Sequence, residues 1–237
     1  MRKLMLIGGG EIGKSNTEYE TKEIDEEIVN MSEKEKPNFL FIGLASSFSD
    51  SYYDTIKKIY KNLGCNCAYL KKKNIVNNPE IVKNKIETAD IIYIGGGDTV
   101  KLLTDITDFQ IDKLLKKALD NGKVLAGISA GAILLSKQGF SDSFILRGES
   151  KNHRFLKGLG YIDINICPHY NENLQKTKDL ENTLKEGGMT VIGLENCTAL
   201  KVVNNSYQII KSNLTKKAYK VVYEKKLVEK ELLSGKL

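Results

Sequence analysis

The strongest structural signal in the chain is the stretch of residues 123–135, which reads KVLAGISAGAILL. An apolar run of strand length leads into Gly127-Ile128-Ser129-Ala130-Gly131, and an apolar run of helical character follows. A G-x-S-x-G motif between a strand and a helix is the context of a nucleophile elbow, whose tight turn makes the serine hydroxyl project. Backbone amides at the start of the following helix face any oxyanion formed there. We therefore predict Ser129 as a nucleophile.

The alternation of strand and helix continues on both sides of this motif. The predicted strands are residues 3–7, 38–44, 67–70, 90–94, 123–128, 163–167 and 190–194, and helical patterns cover 20–30, 52–63, 79–88 and 112–121. This order predicts an α/β fold with a mostly parallel, doubly wound sheet covered on both faces. After Thr198, short strand-like runs separated by turns predict a short antiparallel C-terminal extension. Because the sequence has neither a Pro/Ser-rich linker nor a repeat, we expect residues 1–237 to form a single domain.

Composition excludes several classes of protein. Of the 237 residues 41% are hydrophobic and 28% charged, which argues against a disordered, fibrous or membrane protein. The first apolar run is too short for a signal peptide, so we expect a cytoplasmic protein. The net charge is +6, but only Arg2, Arg147 and Arg154 are arginines among 36 basic residues, which disfavours a nucleic-acid partner. The four cysteines show neither zinc-site nor CxxC spacing, and no metal or organic cofactor is expected.

A second glycine-rich turn follows the strand predicted at residues 90–94. It reads Gly95-Gly96-Gly97-Asp98-Thr99 and precedes a helical run. Glycines at such a turn expose backbone N–H groups and form an anion-binding concavity, here a candidate oxyanion or substrate site. The lysine of a phosphate-binding P-loop is missing. Asp98 or Thr99 as the helix N-cap is the structural alternative.

A general base is predicted from the two histidines of the chain. His169 follows Pro168 at the carboxyl end of the strand at 163–167, whereas His153 lies in a charged stretch and is predicted at the surface. In a doubly wound sheet, the carboxyl ends of the strands gather the functional groups at one edge. This places His169 beside Ser129 and the glycine turn, which together supply the base, nucleophile and oxyanion donors of acyl transfer.

A catalytic triad also needs an acid that orients the imidazole. Asp142, in a turn-like stretch between the serine and the histidine, is our choice, and Glu149 is the second candidate. Asp163 begins the strand that ends at His169, so roughly 20 Å of strand separates it from the active edge.

Four motifs in order, GGGDT, GISAGA, CPHYNE and GLENCTAL, give the chain a family resemblance. It resembles the dipeptidase E and cyanophycinase family of serine peptidases from the first strand to about Val203. The resemblance implies a three-layer α/β/α fold similar to class I glutamine amidotransferases. It also implies Ser129 as nucleophile, His169 as general base, the amides of Gly97 and Ala130 as the oxyanion hole, and an acid between serine and histidine. The best-known branches cut after an N-terminal aspartate or hydrolyse a β-aspartyl-arginine polymer.

The chain departs from that family where the substrate would be recognised. Relatives that recognise an aspartate carboxylate tend to carry arginine after the histidine, whereas residues 171–184 offer Lys176 and Lys178 and no arginine. The leading hypothesis is a serine peptidase for small peptides, with an N-terminal aspartyl or β-aspartyl residue as one option. An esterase and a catalytically silent binding protein are the alternatives. The expected partner is a small peptide, with neither nucleic acid nor membrane; a homodimer is left open.

Overall fold

The larger of two β-sheets carries the predicted alternation of strands and helices. The computed structural model describes residues 1–13, 17–47 and 49–236. The strands of this main sheet are β1 (Lys3–Ile7), β2 (Asn38–Ile42), β3 (Asn66–Leu70), β4 (Ile91–Ile94), β5 (Val124–Ile128), β10 (Thr198–Val203), β11 (Ser206–Lys211) and β14 (Ser234–Lys236). Their order in the sheet is β14-β11-β10-β1-β5-β4-β2-β3. Along this order, neighbouring strands pair in parallel between β1 and β3 and antiparallel between β14 and β1.

A second sheet of six strands was not expected from the sequence. It contains β6 (Ser136–Ser141), β7 (Arg154–Lys157), β8 (Ile162–Pro168), β9 (Val191–Leu194), β12 (Ala218–Tyr223) and β13 (Leu227–Glu231). Their order is β13-β12-β9-β8-β6-β7. The strands predicted at 163–167 and 190–194 are confirmed as β8 and β9, but they pair here and not in the main sheet. The predicted antiparallel C-terminal extension is shared between the two sheets. β10 and β11 belong to the main sheet, whereas β12 belongs to the second.

The helices cover both faces of the main sheet. They are α1 (Lys22–Met31), α2 (Ser49–Asn62), α3 (Lys72–Asn77), α4 (Pro79–Thr88), α5 (Thr99–Asp108), α6 (Ile111–Asp120), α7 (Ala130–Leu135), α8 (Ser143–Leu146) and α9 (Leu174–Gly187). In β4, Ile92 and Ile94 enter one buried cluster while Ile91 and Tyr93 enter the other. This alternation is expected for a strand buried on both faces. The predicted α/β class with a mostly parallel central sheet is confirmed.

Helix α7 joins the two sheets and so positions the site. Its buried Ile133 and Leu134 belong to a cluster that contains Leu125 of β5 and Ile166 of β8. Because β6 begins directly after α7, the chain leaves the main sheet at this point and starts the second sheet. The carboxyl ends of β5 and β8 therefore meet at one edge. No helix in the described ranges is long and apolar enough to cross a membrane.

His153 lies inside the second sheet's layer, and the prediction of a surface position is wrong. Its ring Nδ1 lies 2.8 Å from Asp179 Oδ2, and its backbone amide donates to the same oxygen. The ring also stacks on Phe140, with centroids 5.7 Å apart. The charged residues around His153 in the sequence suggested a surface position. They give no sign of this pair, because Asp179 comes from α9, 26 residues away. Burial opposes ionisation of Asp179, but the hydrogen bonds from His153 and Gln175 outweigh it and hold the pKa of Asp179 below its ordinary value.

We expect Asp179→Asn to lower the free energy of unfolding by about 2 kcal/mol, because His153 loses its charged acceptor. Urea denaturation at pH 7 measures the loss, with Glu186→Gln on the exposed end of α9 as the matched control. A depressed folded-state pKa stabilises the fold above the unfolded value of about 3.8, and this stabilisation disappears as the pH falls through the lower folded-state value. The difference between wild type and variant should therefore shrink in acid. A difference that persists unchanged would contradict this assignment.

Candidate active site

Ser129 occupies a strained turn between β5 and α7. Its backbone has φ 54° and ψ −111°, a region that non-glycine residues rarely adopt. Both flanking glycines are required by space: a Cβ at Gly127 would lie 2.3 Å from the Gly131 carbonyl oxygen, and one at Gly131 would lie 2.2 Å from the Ile94 carbonyl oxygen. The G-x-S-x-G motif thus allows the strand and the helix to approach closely while the serine hydroxyl remains accessible.

His169 comes from the second sheet and reaches the serine across the junction. It follows β8 with φ 51°, and its amide donates to the Gly8 carbonyl at the end of β1, 3.0 Å away. His169 Nε2 lies 2.9 Å from Ser129 Oγ. The structure therefore brings together the two residues that the sequence placed 40 positions apart, in the geometry of a nucleophile with its general base.

Two further side chains hold the other ring nitrogen of His169. Nδ1 lies 2.8 Å from Asn196 Oδ1 and 3.3 Å from Glu172 Oε2. The Asn196 amide nitrogen in turn donates to Glu172 Oε1. The hydrogen bond with His169 is the largest of the causes that hold the pKa of Glu172 below its ordinary value, and burial acts against it. These acceptors favour the tautomer with hydrogen on Nδ1, which leaves Nε2 free to accept from Ser129.

Asp142 does not take the position predicted for the acid. Among the residues that the structure describes, its exposed carboxylate has no hydrogen-bond partner, while Glu149 accepts from Arg147 Nε at 2.7 Å. The reason is topological: after α7 the chain runs into β6, and the segment that follows lies beside the glycine turn, where Ser143 Oγ accepts from the Thr99 amide at 2.7 Å.

Sequence reasoning missed Glu172 and Asn196 because it sought the acid only between serine and histidine. Both nevertheless stand in the quoted motifs, Glu172 in CPHYNE three positions after His169 and Asn196 in GLENCTAL. A turn that places the histidine at the end of a strand also brings residue i+3 back towards its ring. That spacing was the available signal for Glu172. Asn196 depends on the pairing of β8 with β9, which local sequence does not specify.

The predicted oxyanion residues surround Ser129. A Cβ at Gly96 would lie 3.3 Å from Ser129 Cβ, so this turn lies directly against Ser129. Gly97 has φ 136°, and a Cβ there would lie 2.5 Å from the Ala45 carbonyl oxygen. Within the described ranges neither the Gly97 amide nor the Ala130 amide at the start of α7 has a hydrogen-bond acceptor. Both amides are therefore available to an incoming oxyanion.

Asp98 and Lys176, two charged residues considered for substrate binding, already have partners within the protein. Asp98 caps α5, since its Oδ1 accepts from Val100 N at 2.9 Å and its Oδ2 from Arg147 at 3.3 Å. Asp98 is therefore the N-cap of α5, which was the structural alternative to a role in substrate binding. Lys176 is buried, and its ammonium donates to the Pro168 carbonyl at 2.6 Å, so it is not free to bind a substrate carboxylate. Lys178 is exposed on α9.

Gly9, directly after β1, lies against the His169 ring. A Cβ at this position would lie 2.0 Å from Asn196 Oδ1 and 2.5 Å from His169 Nδ1. We expect Gly9→Ala to lower kcat/KM by about 10- to 100-fold, because the added Cβ displaces the imidazole and its Asn196 partner by about 1 Å and so disrupts proton transfer. Steady-state kinetics measure the effect, with Gly187→Ala near the end of α9 as the control, since a Cβ there would meet only the end of the Met189 side chain, at 3.3 Å. Equal activity in both variants would show that the ring tolerates displacement.

Comparison with known proteins gives concordant results. The model of Peptidase family S51 matches residues 4–210. The chain is 29% identical to the uncharacterized peptidase YgaJ of Bacillus subtilis over 226 residues, 94% of this chain and 93% of that protein. It is 26% identical to peptidase E of Shewanella denitrificans over 218 residues, 87% and 86% of the two chains. The crystal structure of a peptidase from an acI-B1 actinobacterium has the same fold, with TM-score 0.74, 23% identity and coverage of 100% and 97%. The relationship that the four motifs predicted is confirmed.

Proposed function

The chain belongs to peptidase family S51, and from that premise we propose that it is a serine-type exopeptidase acting on small peptides. One observation carries the proposal: the 2.9 Å contact between His169 Nε2 and Ser129 Oγ, at a serine with φ 54°. A serine hydroxyl has little nucleophilicity unless a base accepts its proton, and this contact provides that base.

In the proposed reaction, Ser129 Oγ attacks the scissile carbonyl carbon while its proton passes to His169 Nε2. The carbonyl oxygen becomes an oxyanion and accepts hydrogen bonds from the Gly97 and Ala130 amides. The C–N bond then breaks, and the imidazolium returns the proton to the leaving amine. A water molecule then attacks the acyl-enzyme carbonyl while its proton passes to His169 Nε2. The ester bond between the acyl carbon and Ser129 Oγ breaks, the imidazolium returns its proton to Oγ, and the new carboxylate leaves. Asn196 and Glu172 keep the ring oriented throughout.

The N-terminal residue of the substrate is the open part of the proposal. The family resemblance favours Asp-X or β-Asp-X dipeptides. Two observations argue against a strong aspartyl preference: residues 171–184 contain no arginine, and the Lys176 ammonium is committed to a backbone carbonyl. We propose small peptides as the substrate class, with aspartyl peptides as members to be tested and not as the defining group.

The experiment is hydrolysis of a panel of dipeptides and tripeptides that includes Asp-X, β-Asp-X and neutral N-termini, together with a small ester. Wild type is compared with Ser129→Ala, and Ser206→Ala, at an exposed position at the start of β11, is the matched control. Release of the first residue or dipeptide by wild type and the control, but not by Ser129→Ala, is the expected result. Ester hydrolysis alone would favour the esterase alternative. A folded wild type without activity on any member would contradict the proposal and favour a binding protein.

A further inference from the structure

Lys176 carries a buried ammonium group that has no part in the proposed reaction. The residue is 7% exposed, and its Nζ donates to the Pro168 carbonyl oxygen at 2.6 Å. Lysine is rarely buried without a charged partner, because removing an ammonium from water is costly. Here the hydrogen-bond acceptor is a neutral carbonyl, so Lys176 is not part of an ordinary buried ion pair.

The carbonyl that Lys176 binds belongs to the peptide group that carries His169. The N–H of the same peptide group donates to the Gly8 carbonyl at 3.0 Å. Both polar ends of the 168–169 peptide are therefore fixed, one by the ammonium and one by the end of β1. His169 adopts φ 51°, a conformation of higher energy that persists only when the surroundings hold it. The two contacts together fix the direction in which the His169 side chain leaves the backbone.

The start of α9 aims the lysine at this turn. Asn173 is the N-cap of the helix, and its Oδ1 accepts from the Lys176 amide at 2.8 Å. Lys176 therefore lies in the first turn, and side chains on a helix point back towards its N-terminus. From there the ammonium reaches the last residue of β8.

We propose that Lys176 is a positioning residue for His169, which clamps the 168–169 peptide and adds a fixed positive charge beside the catalytic turn. The inference rests on the proposed function for the role of His169 as base. A buried charge is little screened by salt, and a nearby cation favours the charged form of a carboxylate. The ammonium thus favours ionised Glu172, whose Oε2 lies 3.3 Å from His169 Nδ1.

The other titratable groups at this turn fit that arrangement. Glu172 lies on the same loop as His169, and the Lys176 charge is among the causes that lower its pKa, after the hydrogen bond with His169. Glu195, on the loop after β9, accepts from Asn171 Nδ2 and from the Lys217 amide, while the Lys217 ammonium pairs with Glu231. Cys167 in β8 is a neutral thiol at physiological pH, because burial raises its pKa to about 11.

Two substitutions separate the geometric role from the electrostatic role. Lys176→Met removes both the donor and the charge, whereas Lys176→Gln keeps an N–H donor and removes only the charge. Lys178→Met, exposed on the same helix, is the matched control. We expect kcat to fall about 10- to 100-fold in Lys176→Met with KM within about twofold, and to fall less in Lys176→Gln.

A second measurement does not depend on any substrate. The chain has two histidines, so NMR at one pH can follow the ring signals of His153 and His169 separately. We expect the His169 ring signals to shift in Lys176→Met, to shift less in Lys176→Gln and to stay unchanged in Lys178→Met, with the His153 signals unchanged in all three. A wild type without peptidase activity would overturn the proposed function, yet this comparison would still test Lys176. Unmoved His169 ring signals in folded Lys176→Met, with kcat lowered or not, would overturn the inference.

Discussion

Ser129→Ala is expected to lower kcat/KM by about 10⁴-fold or more, the largest effect of any single substitution in this protein. The variant loses only Oγ, which is the atom that attacks the substrate and that lies 2.9 Å from His169 Nε2. Alanine can occupy the same backbone conformation as serine, so the turn between β5 and α7 should be retained. Binding of substrate should therefore persist while covalent catalysis disappears. Initial rates at several substrate concentrations separate kcat from KM.

The control for this prediction is stability. Ser129→Ala should have the same free energy of unfolding in urea as wild type to within about 0.5 kcal/mol, because the one hydrogen bond lost, with His169 Nε2, is only partly buried. Residual activity within tenfold of wild type, in protein free of wild-type contamination, would mean that Ser129 is not the nucleophile.

Asn196→Ala carries the second largest expected effect. It removes the acceptor 2.8 Å from His169 Nδ1 and breaks the link from Asn196 to Glu172. The imidazole then loses the contact that selects its tautomer, and we expect kcat to fall about 10³-fold. Glu172→Gln should cost less, because the carboxylate lies further from Nδ1, at 3.3 Å, and Asn196 remains. Steady-state kinetics on the best peptide of the panel measure both losses.

A double-mutant cycle distinguishes one orienting unit from two independent residues. If Asn196 and Glu172 act together on one ring nitrogen, the double variant should lose less activity than the sum of the two single losses in free energy. Strict additivity would contradict a shared role.

The pH dependence of the free energy of unfolding gives a further test of Glu172. Since the pKa of Glu172 is held below its ordinary 4.5 in the folded protein, its stabilising contribution is present above that value and is lost as the pH falls through the lower folded-state pKa. Glu172→Gln should remove this low-pH component.

The parts of the site set by local sequence were predictable. The strand, the strained serine and the helix of residues 123–135 follow from apolar patterning and from two glycines that no larger residue can replace. The rule that the carboxyl ends of neighbouring parallel strands share an edge predicted His169 at a strand end beside Ser129, although β8 lies in the second sheet and His169 reaches Ser129 across the junction between the sheets. The glycine turn at Gly96 and Gly97 follows from the same rule. Each of these residues lies in a turn whose local geometry restricts which residue types can occupy it.

The parts set by long-range pairing were not predictable. β6 has the sequence SKQGFS, which lacks the β-branched run of a strand. It is held by pairing with β7 and β8, and Gly139 allows it to pack directly on Ile133 of α7. Without β6 there was no reason to divide the strands between two sheets, and the segment with Asp142 was expected near His169. The burial of His153 was missed for the same reason, since its partner Asp179 comes from a distant helix. Local charge says little about a side chain whose environment is assembled from several elements.

The central claim is that His169 activates Ser129, and labelling with a fluorophosphonate tests it without a peptide substrate. The reagent forms a phosphonyl ester with an activated serine, and mass spectrometry of the intact protein and its peptides gives the rate and the site of modification. We predict a single adduct on Ser129 in wild type, at least 100-fold slower labelling in His169→Gln, consistent with the contribution of general-base catalysis, and an unchanged rate in His153→Gln. Equal rates in wild type and His169→Gln, or an adduct on another residue, would contradict the claim.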